Sequence, residues 1–221
     1  SFTGLLQSFV GLKDEETVPG ISINKNGKTL MTGPSQRIMD LSEVPSPYIM
    51  GLFDHLPKDY PGKIWNAVIE TNRGCPFMCT FCDWGGTTFS KVKKFGLERI
   101  EAELDWIGKN KLEFVSNTDA NFGIFKERDM EITDMLIATK EKYGFPQVFD
   151  TNWSKNATVQ LVDMAVKLMK ANMMRRFTMA LQSTNQDVLK NIKRVNLKEE
   201  AMQRVIDTAH QEGIDINTEL I

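Results

Sequence analysis

From Lys63 onward, short runs rich in β-branched and aromatic residues alternate with segments of helical period. The runs are KIWNAVIE (63–70), LEFVSN (112–117), QVFDTNW (147–153), RRFTMALQS (175–183) and IDINTELI (214–221). Strands that alternate with helices connect most simply as parallel neighbours through right-handed crossovers, so an α/β core with about five parallel strands is expected. Val162, Ala165, Val166 and Met169 fall at i, i+3, i+4, i+7, as do Met202, Val205, Ile206 and Ala209, so each segment carries one apolar helix face. Asn196 with Glu199 has the form of a capping box that starts the last helix, and Gly213 is placed to end it. The first sixty residues differ: they are rich in Gly, Pro, Asn and Ser, with NKNG (24–27) as a hairpin turn, and read as an N-terminal arm or linker. No internal repeat or low-complexity tract occurs.

All three cysteines lie in one window, ETNRGCPFMCTFCDWGG (70–86), spaced C-x3-C-x2-C as Cys75, Cys79 and Cys82. An odd, clustered set cannot form a disulfide framework, and points to metal ligation in a reducing compartment, with the cytoplasm as default. The window follows the first strand, where a parallel sheet exposes its carboxyl ends. Three thiolates on a tight loop each take one iron of a cubane cluster, and a [4Fe-4S] cluster then keeps one iron without a protein ligand. A closed zinc site needs a fourth donor, and the only histidines are His55, far upstream, and His210, on the last helix. Zinc or idle reduced thiols remain the alternatives, as does a non-catalytic electron-transfer module, which requires a fourth cysteine. The net charge of −2 gives no general attraction to nucleic acid or anionic lipid, and the lysines of SKVKKF (90–95) read as a solvated helix face. No apolar run approaches the ~20 residues of a membrane span, and the start lacks the basic region of a signal peptide.

The loop C-x3-C-x-aromatic-C, with Phe81 as the aromatic, resembles the signature of the radical S-adenosylmethionine (SAM) enzymes. The resemblance implies a [4Fe-4S] cluster on Cys75, Cys79 and Cys82, and an open iron that chelates the amino and carboxylate groups of SAM. It further implies reductive cleavage to a 5'-deoxyadenosyl radical that acts on an unidentified substrate, by methyl transfer or another C–H functionalisation. A one-electron reductant of flavodoxin or ferredoxin type is the implied partner. The implied fold is an incomplete (βα)6 barrel over residues 61–221, ending before a sixth strand, with residues 1–60 as the arm. DLSEVPSPYIMGLFD (40–54) together with the cysteine window is similar to the cobalamin-binding group of these enzymes. No D-x-H-x-x-G cobalamin loop occurs, so residues 1–33 resemble only the trailing edge of such a domain, and bound cobalamin is not expected for this chain alone.

The strand-end loops carry the remaining candidates. After the second strand, SNTDANFG (116–123) stands where the superfamily's Gly-Gly-Glu type motif holds the SAM amino group, and Thr118 and Asp119 are the substitutes. Asp119 and Asn121 are equally suited to cap the following turn. After the third strand, Asn152, Ser154 and Lys155 are candidates for substrate contact, with Ser154 or Asn156 also suited to a helix N-cap. Gln182, followed by Ser183 and, twelve residues after the glutamine, by Arg194, resembles the pattern of oxygen-independent coproporphyrinogen oxidase. That likeness implies a glutamine on the SAM ribose and an arginine on its carboxylate, which the planar guanidinium fork matches. Glu219 stands where those relatives carry an acidic residue for the ribose hydroxyls. Trp84, Gly85 and Gly86 trail the cluster, as a cofactor wall or as plain turn residues. The methionines of MKANMMRRFTMA (169–180) read as gap-filling core.

Overall fold

The computed structural model describes residues 2–35, 38–82, 91–155, 159–174 and 176–220. The chain forms two compact units, residues 1–43 and 44–221, so residues 44–60, expected in the arm, group with the core. The first unit holds helix α1 (Phe2–Phe9) and a hairpin of β1 (Ser22–Lys25) and β2 (Lys28–Met31). Its turn is Asn26-Gly27, both with positive φ (53° and 77°), as the NKNG signal anticipates, because primed turns match the twist of paired strands.

The second unit begins with α2 (Leu56–Asp59) and β3 (Asn66–Ile69), followed by a small ribbon of β4 (Asn72–Arg73) and β5 (Lys93–Lys94). Next come α3 (Leu97–Lys109), β6 (Phe114–Phe122), α4 (Lys126–Tyr143), β7 (Val148–Trp153) and α5 (Val159–Lys170). The unit ends with β8 (Arg176–Gln182), α6 (Gln186–Asn191), α7 (Glu199–Gln211) and β9 (Asp215–Leu220). All five expected strands form and pair in parallel, but they divide into a three-stranded sheet, β3-β6-β7, and a two-stranded one, β8-β9. This replaces the single five-stranded barrel wall expected from the sequence, and the described strands close no barrel. At the seam, Phe149 N–H donates to the Met173 carbonyl (2.9 Å), and Trp153 packs on Phe177 with ring centroids 5.2 Å apart. A main-chain bond and a ring contact join the two sheets there, with no ladder between β7 and β8 among the described residues.

Of the stripes read from sequence, Val162, Ala165, Val205 and Ala209 are buried, and Val166, Met169, Met202 and Ile206 pack half-buried against them. Leu161, Val162 and Ala165 of α5, Phe177 and Met179 of β8, and Val205 and Ala209 of α7 form one core cluster with Ile214. Each large aliphatic side chain fully buried in this way contributes about 1.5–3 kcal/mol. Gly123, at the end of β6, has φ +88°, and a Cβ there would run into Leu161, so the strand end needs glycine for both backbone and space.

Two local expectations are corrected. Lys93 and Lys94 are not on a helix: they pair antiparallel with Arg73 and Asn72, across the cysteine loop. Asn196 does not cap α7, whose N-cap is Lys198 without a side-chain bond. Its amide instead donates to the carbonyls of Leu181 and Ser183 (both 2.9 Å), and its oxygen accepts from Arg194 Nε (2.8 Å). A fixed tertiary acceptor pair outcompetes the local cap here. Gly213, with φ +73°, follows the C-cap of α7 as expected.

Candidate functional site

The cysteine loop leaves β3 and is fastened at its root before any thiol is reached. The Asp119 carboxylate, on β6, accepts from the main-chain N–H of Thr71 (2.7 Å) and Asn72 (2.9 Å), from the Asn72 amide (2.7 Å) and from the Thr71 hydroxyl. Asp119 is fully buried, and burial raises its pKa while these donors offset part of the rise. From α4, Arg128 donates through Nη2 to the carbonyls of Thr71 and Phe95 (both 2.9 Å), one on each side of the β4-β5 ribbon. Its Nη1 meets Asp129 at 3.1 Å, and that carboxylate also accepts from Gly123 and Phe125 N–H. Burial likewise raises the Asp129 pKa.

Beyond this root, Cys75 and Cys79 are buried and Cys82 is half-buried. Thr80 N–H donates to the Ile192 carbonyl (3.0 Å), tying the loop to the segment that carries Arg194. The Asn121 amide lies 3.3 Å from Cys75 Sγ, and Lys155 Nζ lies 3.4 Å from Cys79 Sγ. A cavity of about 340 Å³ opens at the carboxyl ends of the strands, in the range of small-molecule sites. Cys75, Phe81, Cys82, Gln182, Arg194 and Glu219 line it together, from four separate stretches of sequence. Asn152 and Lys155 line it as well, whereas Ser154 is buried and its N–H donates to the Phe122 carbonyl (2.8 Å). Cys79 lines a neighbouring cavity that it shares with Lys155 and Arg194.

Arg194 is a buried residue, 6% exposed, and not the surface arginine its local sequence would allow. Nε donates to Asn196 and Nη2 to the Ala180 carbonyl, whereas Nη1 is buried with no hydrogen-bond partner among the described residues. A buried guanidinium nitrogen left unpaired in a cavity wall calls for an acceptor, and a carboxylate is the natural one. Gln182 has φ +67°, in the region L-residues rarely adopt, at a register shift between Ala180 and Gln182 in the β8-β9 ladder. Glu219 pairs with Ala180 in that ladder.

The structure does not bring every expected residue to this cavity. Thr118 donates its hydroxyl to the Ile69 carbonyl (3.1 Å) and lines a different, apolar cavity of about 570 Å³. Asp119 is committed to Thr71 and Asn72, so its carboxylate belongs to the loop root rather than to a ligand's amino group. Ser183 accepts from Asn185 N–H (3.1 Å) and stands outside the lining. Trp84, Gly85, Gly86 and Asn156 fall outside the described residues. Asn121 and Arg128 were not marked for the site by sequence. Asn121 occupies an inward position of β6 in the stretch where its ladder with β7 is interrupted, between Asn117 and Phe122.

The donor set suits an iron–sulfur cluster with SAM: three thiols without a fourth, an open polar cavity beside them, and an arginine in its lining whose buried Nη1 has no hydrogen-bond partner among the described residues. Among the described residues no three His, Cys, Asp or Glu side chains already converge on one metal position, so cluster binding must gather the thiols. The sequence profile of the Radical SAM superfamily matches residues 69–221, more than half of the chain. The chain belongs to the radical SAM superfamily. Its membership implies a [4Fe-4S] cluster and SAM, which the C-x3-C-x2-C loop fits.

Among proteins of known activity, it is 34% identical over 210 residues to the cobalamin-dependent radical SAM methyltransferase TokK of Streptomyces tokunonensis, which covers 94% of this chain and 31% of TokK. It is 32% identical over 219 residues to the 2-(S-pantetheinyl)-carbapenam-3-carboxylate methyltransferase of Streptantibioticus cattleyicolor, covering 98% of this chain and 32% of that enzyme. The chain thus spans about a third of the length of these relatives. The fold is shared with the cobalamin-dependent SAM radical enzyme OxsB, at a TM-score of 0.66 and 18% identity, over 100% of this chain and 32% of OxsB. It is also shared with the radical SAM methyltransferase TsrM of Kitasatospora setae, at 0.64 and 12%, over 98% of this chain and 43% of TsrM. No helix among the described residues is long and apolar enough to cross a membrane.

Proposed function

We propose that this chain carries the cluster-binding and SAM-binding core of a radical SAM methyltransferase. The observation that carries the SAM site is the cavity lined together by Cys75, Cys82, Gln182, Glu219 and Arg194, whose buried Nη1 has no hydrogen-bond partner among the described residues. Methyl transfer as the reaction class rests on the two relatives, both methyltransferases by name. Cys75, Cys79 and Cys82 hold the cluster through their thiolates. What the cluster supplies when bound is one electron for reductive cleavage of SAM, drawn from a flavodoxin-type or ferredoxin-type donor. Arg194 takes the SAM carboxylate through Nη1, while its bonds to Asn196 and Ala180 fix the guanidinium plane. Gln182 and Glu219, on adjacent strand ends, hold the ribose hydroxyls, and Phe81 gives the cavity an apolar wall.

The test is SAM binding to anaerobically reconstituted protein, comparing samples of equal iron content. Arg194→Ala is expected to weaken binding by about 1.5–3 kcal/mol, the range of a hydrogen bond to a charged group. Iron content should stay the same. Equal affinities in the two proteins would remove Arg194 from the SAM site. Incubation of the full protein with methyl-labelled SAM, followed by recovery of the label on a product, tests the reaction class.

A further inference from the structure

Two of the three cysteine sulfurs meet nitrogen donors supplied by other strands. The Asn121 amide, from β6, lies 3.3 Å from Cys75 Sγ, in a setting where Asn121 is 1% and Cys75 3% exposed. The Lys155 ammonium, just after β7, lies 3.4 Å from Cys79 Sγ, itself 3% exposed, and 5.0 Å from the Phe77 ring centroid. Cys82 receives no such side-chain donor among the described residues. The arrangement is asymmetric: one thiol faces a full positive charge, one faces a neutral dipole, and one stands half-exposed.

We propose that Lys155, assisted by Asn121, sets the reduction potential of the cluster held by this loop. The inference rests on the reading of Cys75, Cys79 and Cys82 as cluster ligands. Hydrogen bonds to cluster sulfurs and nearby charge are among the factors that fix such potentials. When one electron enters from an external donor, the cluster gains one unit of negative charge. A donor at a coordinating sulfur then interacts more strongly with the reduced form than with the oxidised one. Burial of both cysteines keeps water from screening that difference. Lys155 has the larger influence because it brings a charge, and Asn121 only a dipole. Phe77 holds the ammonium by a cation–π contact, which limits its freedom to swing into solvent. Lys155 also lines the main cavity, so it is a positioning residue for electron entry at the wall where SAM would sit.

The experiment is an EPR-monitored redox titration of the anaerobically reconstituted chain, with iron and sulfide measured on every sample. Lys155→Met should move the midpoint potential to more negative values, Asn121→Leu should move it the same way by less, and Lys155→Arg should restore most of the wild-type value. If the wild-type chain takes up no cluster, the ligand reading fails and this inference falls with it. If wild type and Lys155→Met both load fully and share one potential, the inference alone is overturned and the ligand reading stands. A Lys155→Met protein with unchanged potential but weaker SAM binding would overturn it too, and would make Lys155 a grip on the ligand. Should Lys155→Met fail to load, Lys155→Gln, which keeps a neutral N–H donor but no charge, must still titrate at a more negative potential than wild type. Its coincidence with wild type would refute the role of the charge.

Discussion

Two cavities of the second unit differ in more than size. The larger, about 570 Å³, is walled by Tyr48, Phe53, Trp65, Val68 and Trp106. The smaller, about 340 Å³, is walled by two cysteines and by residues of four strand ends. In the larger one the polar tips are already engaged. Tyr48 OH donates to the Val68 carbonyl and accepts from the Val68 N–H (2.9 and 3.0 Å), Trp106 Nε1 donates to Asp54 (2.7 Å), and Arg99 pairs with Glu103 (3.0 Å). The smaller one is lined by Arg194, whose Nη1 has no partner among the described residues, and by a glutamine that holds a left-handed backbone. Volume alone would select the aromatic cavity. Unmet hydrogen-bonding capacity selects the other, because a buried donor without an acceptor is a standing demand for a ligand, and a satisfied aromatic wall makes none.

The sharpest division between the cavities should appear in the cysteines. Replacing Cys75, Cys79 or Cys82 singly by Ala is expected to abolish retained iron after anaerobic reconstitution, since each thiol is one of only three. A Cys79→Ala protein with full iron would break the assignment. Next comes Trp106→Ala in the aromatic cavity, which should lower stability by about 2–3 kcal/mol in chemical denaturation, somewhat below the value for a fully buried tryptophan. SAM affinity of cluster-loaded protein should not change, and a matching loss of affinity would merge the two cavities functionally.

Asp119→Asn bears on the ground between them. It should destabilise the fold by about 1–3 kcal/mol, because one amide oxygen cannot serve the donors of Thr71 and Asn72 that two carboxylate oxygens serve. Iron retention should fall with it, as the loop root loosens. Unchanged melting and unchanged iron would show that the root is held by Arg128 and the β4-β5 ribbon alone. The smallest effect is expected from acid. Lys109, Tyr143 and Lys142 hold the Asp105 carboxylate well below its usual range. With a folded value below the unfolded one, its stabilisation is complete above the unfolded value, near pH 4, and is lost as pH falls below that. The group is a third exposed, so the gain is small. Asp105→Asn should flatten the acid limb of the stability curve slightly and leave both cavities alone. A change in SAM affinity at neutral pH would contradict that.

What could be read in the sequence was whatever depends on neighbours along the chain. Alternating strands and helices, the α5 and α7 segments and the Asn26-Gly27 turn are all local patterns, and all correspond to formed elements. Arg194, Gln182 and Glu219 came from a family resemblance, and the structure gathers them in one cavity with Cys75 and Cys82. The failures share one cause, which is a partner far away in sequence. Lys93 and Lys94 look like a solvated helix face until Asn72 and Arg73 are known to lie beside them. Asp119 looks like a ligand residue until Thr71, 48 positions earlier, takes its carboxylate. Lys155 is 76 positions from the Cys79 sulfur it meets, and no periodicity reports such a distance.

The β4-β5 ribbon has a further consequence for how the loop takes up its cluster. With Asn72–Arg73 paired to Lys93–Lys94, and Arg128 bonded to both flanks, the two ends of the stretch that carries the cysteines are already joined. Closing a flexible loop loses conformational entropy that grows with the logarithm of its length, about 0.6 kcal/mol for each doubling beyond a fixed initial term. The folded chain has met that term before any iron arrives, so gathering three thiols requires only the entropy of ordering residues within a ring. An isolated peptide of the same sequence would have to meet both, and should bind the same cluster more weakly for that reason alone.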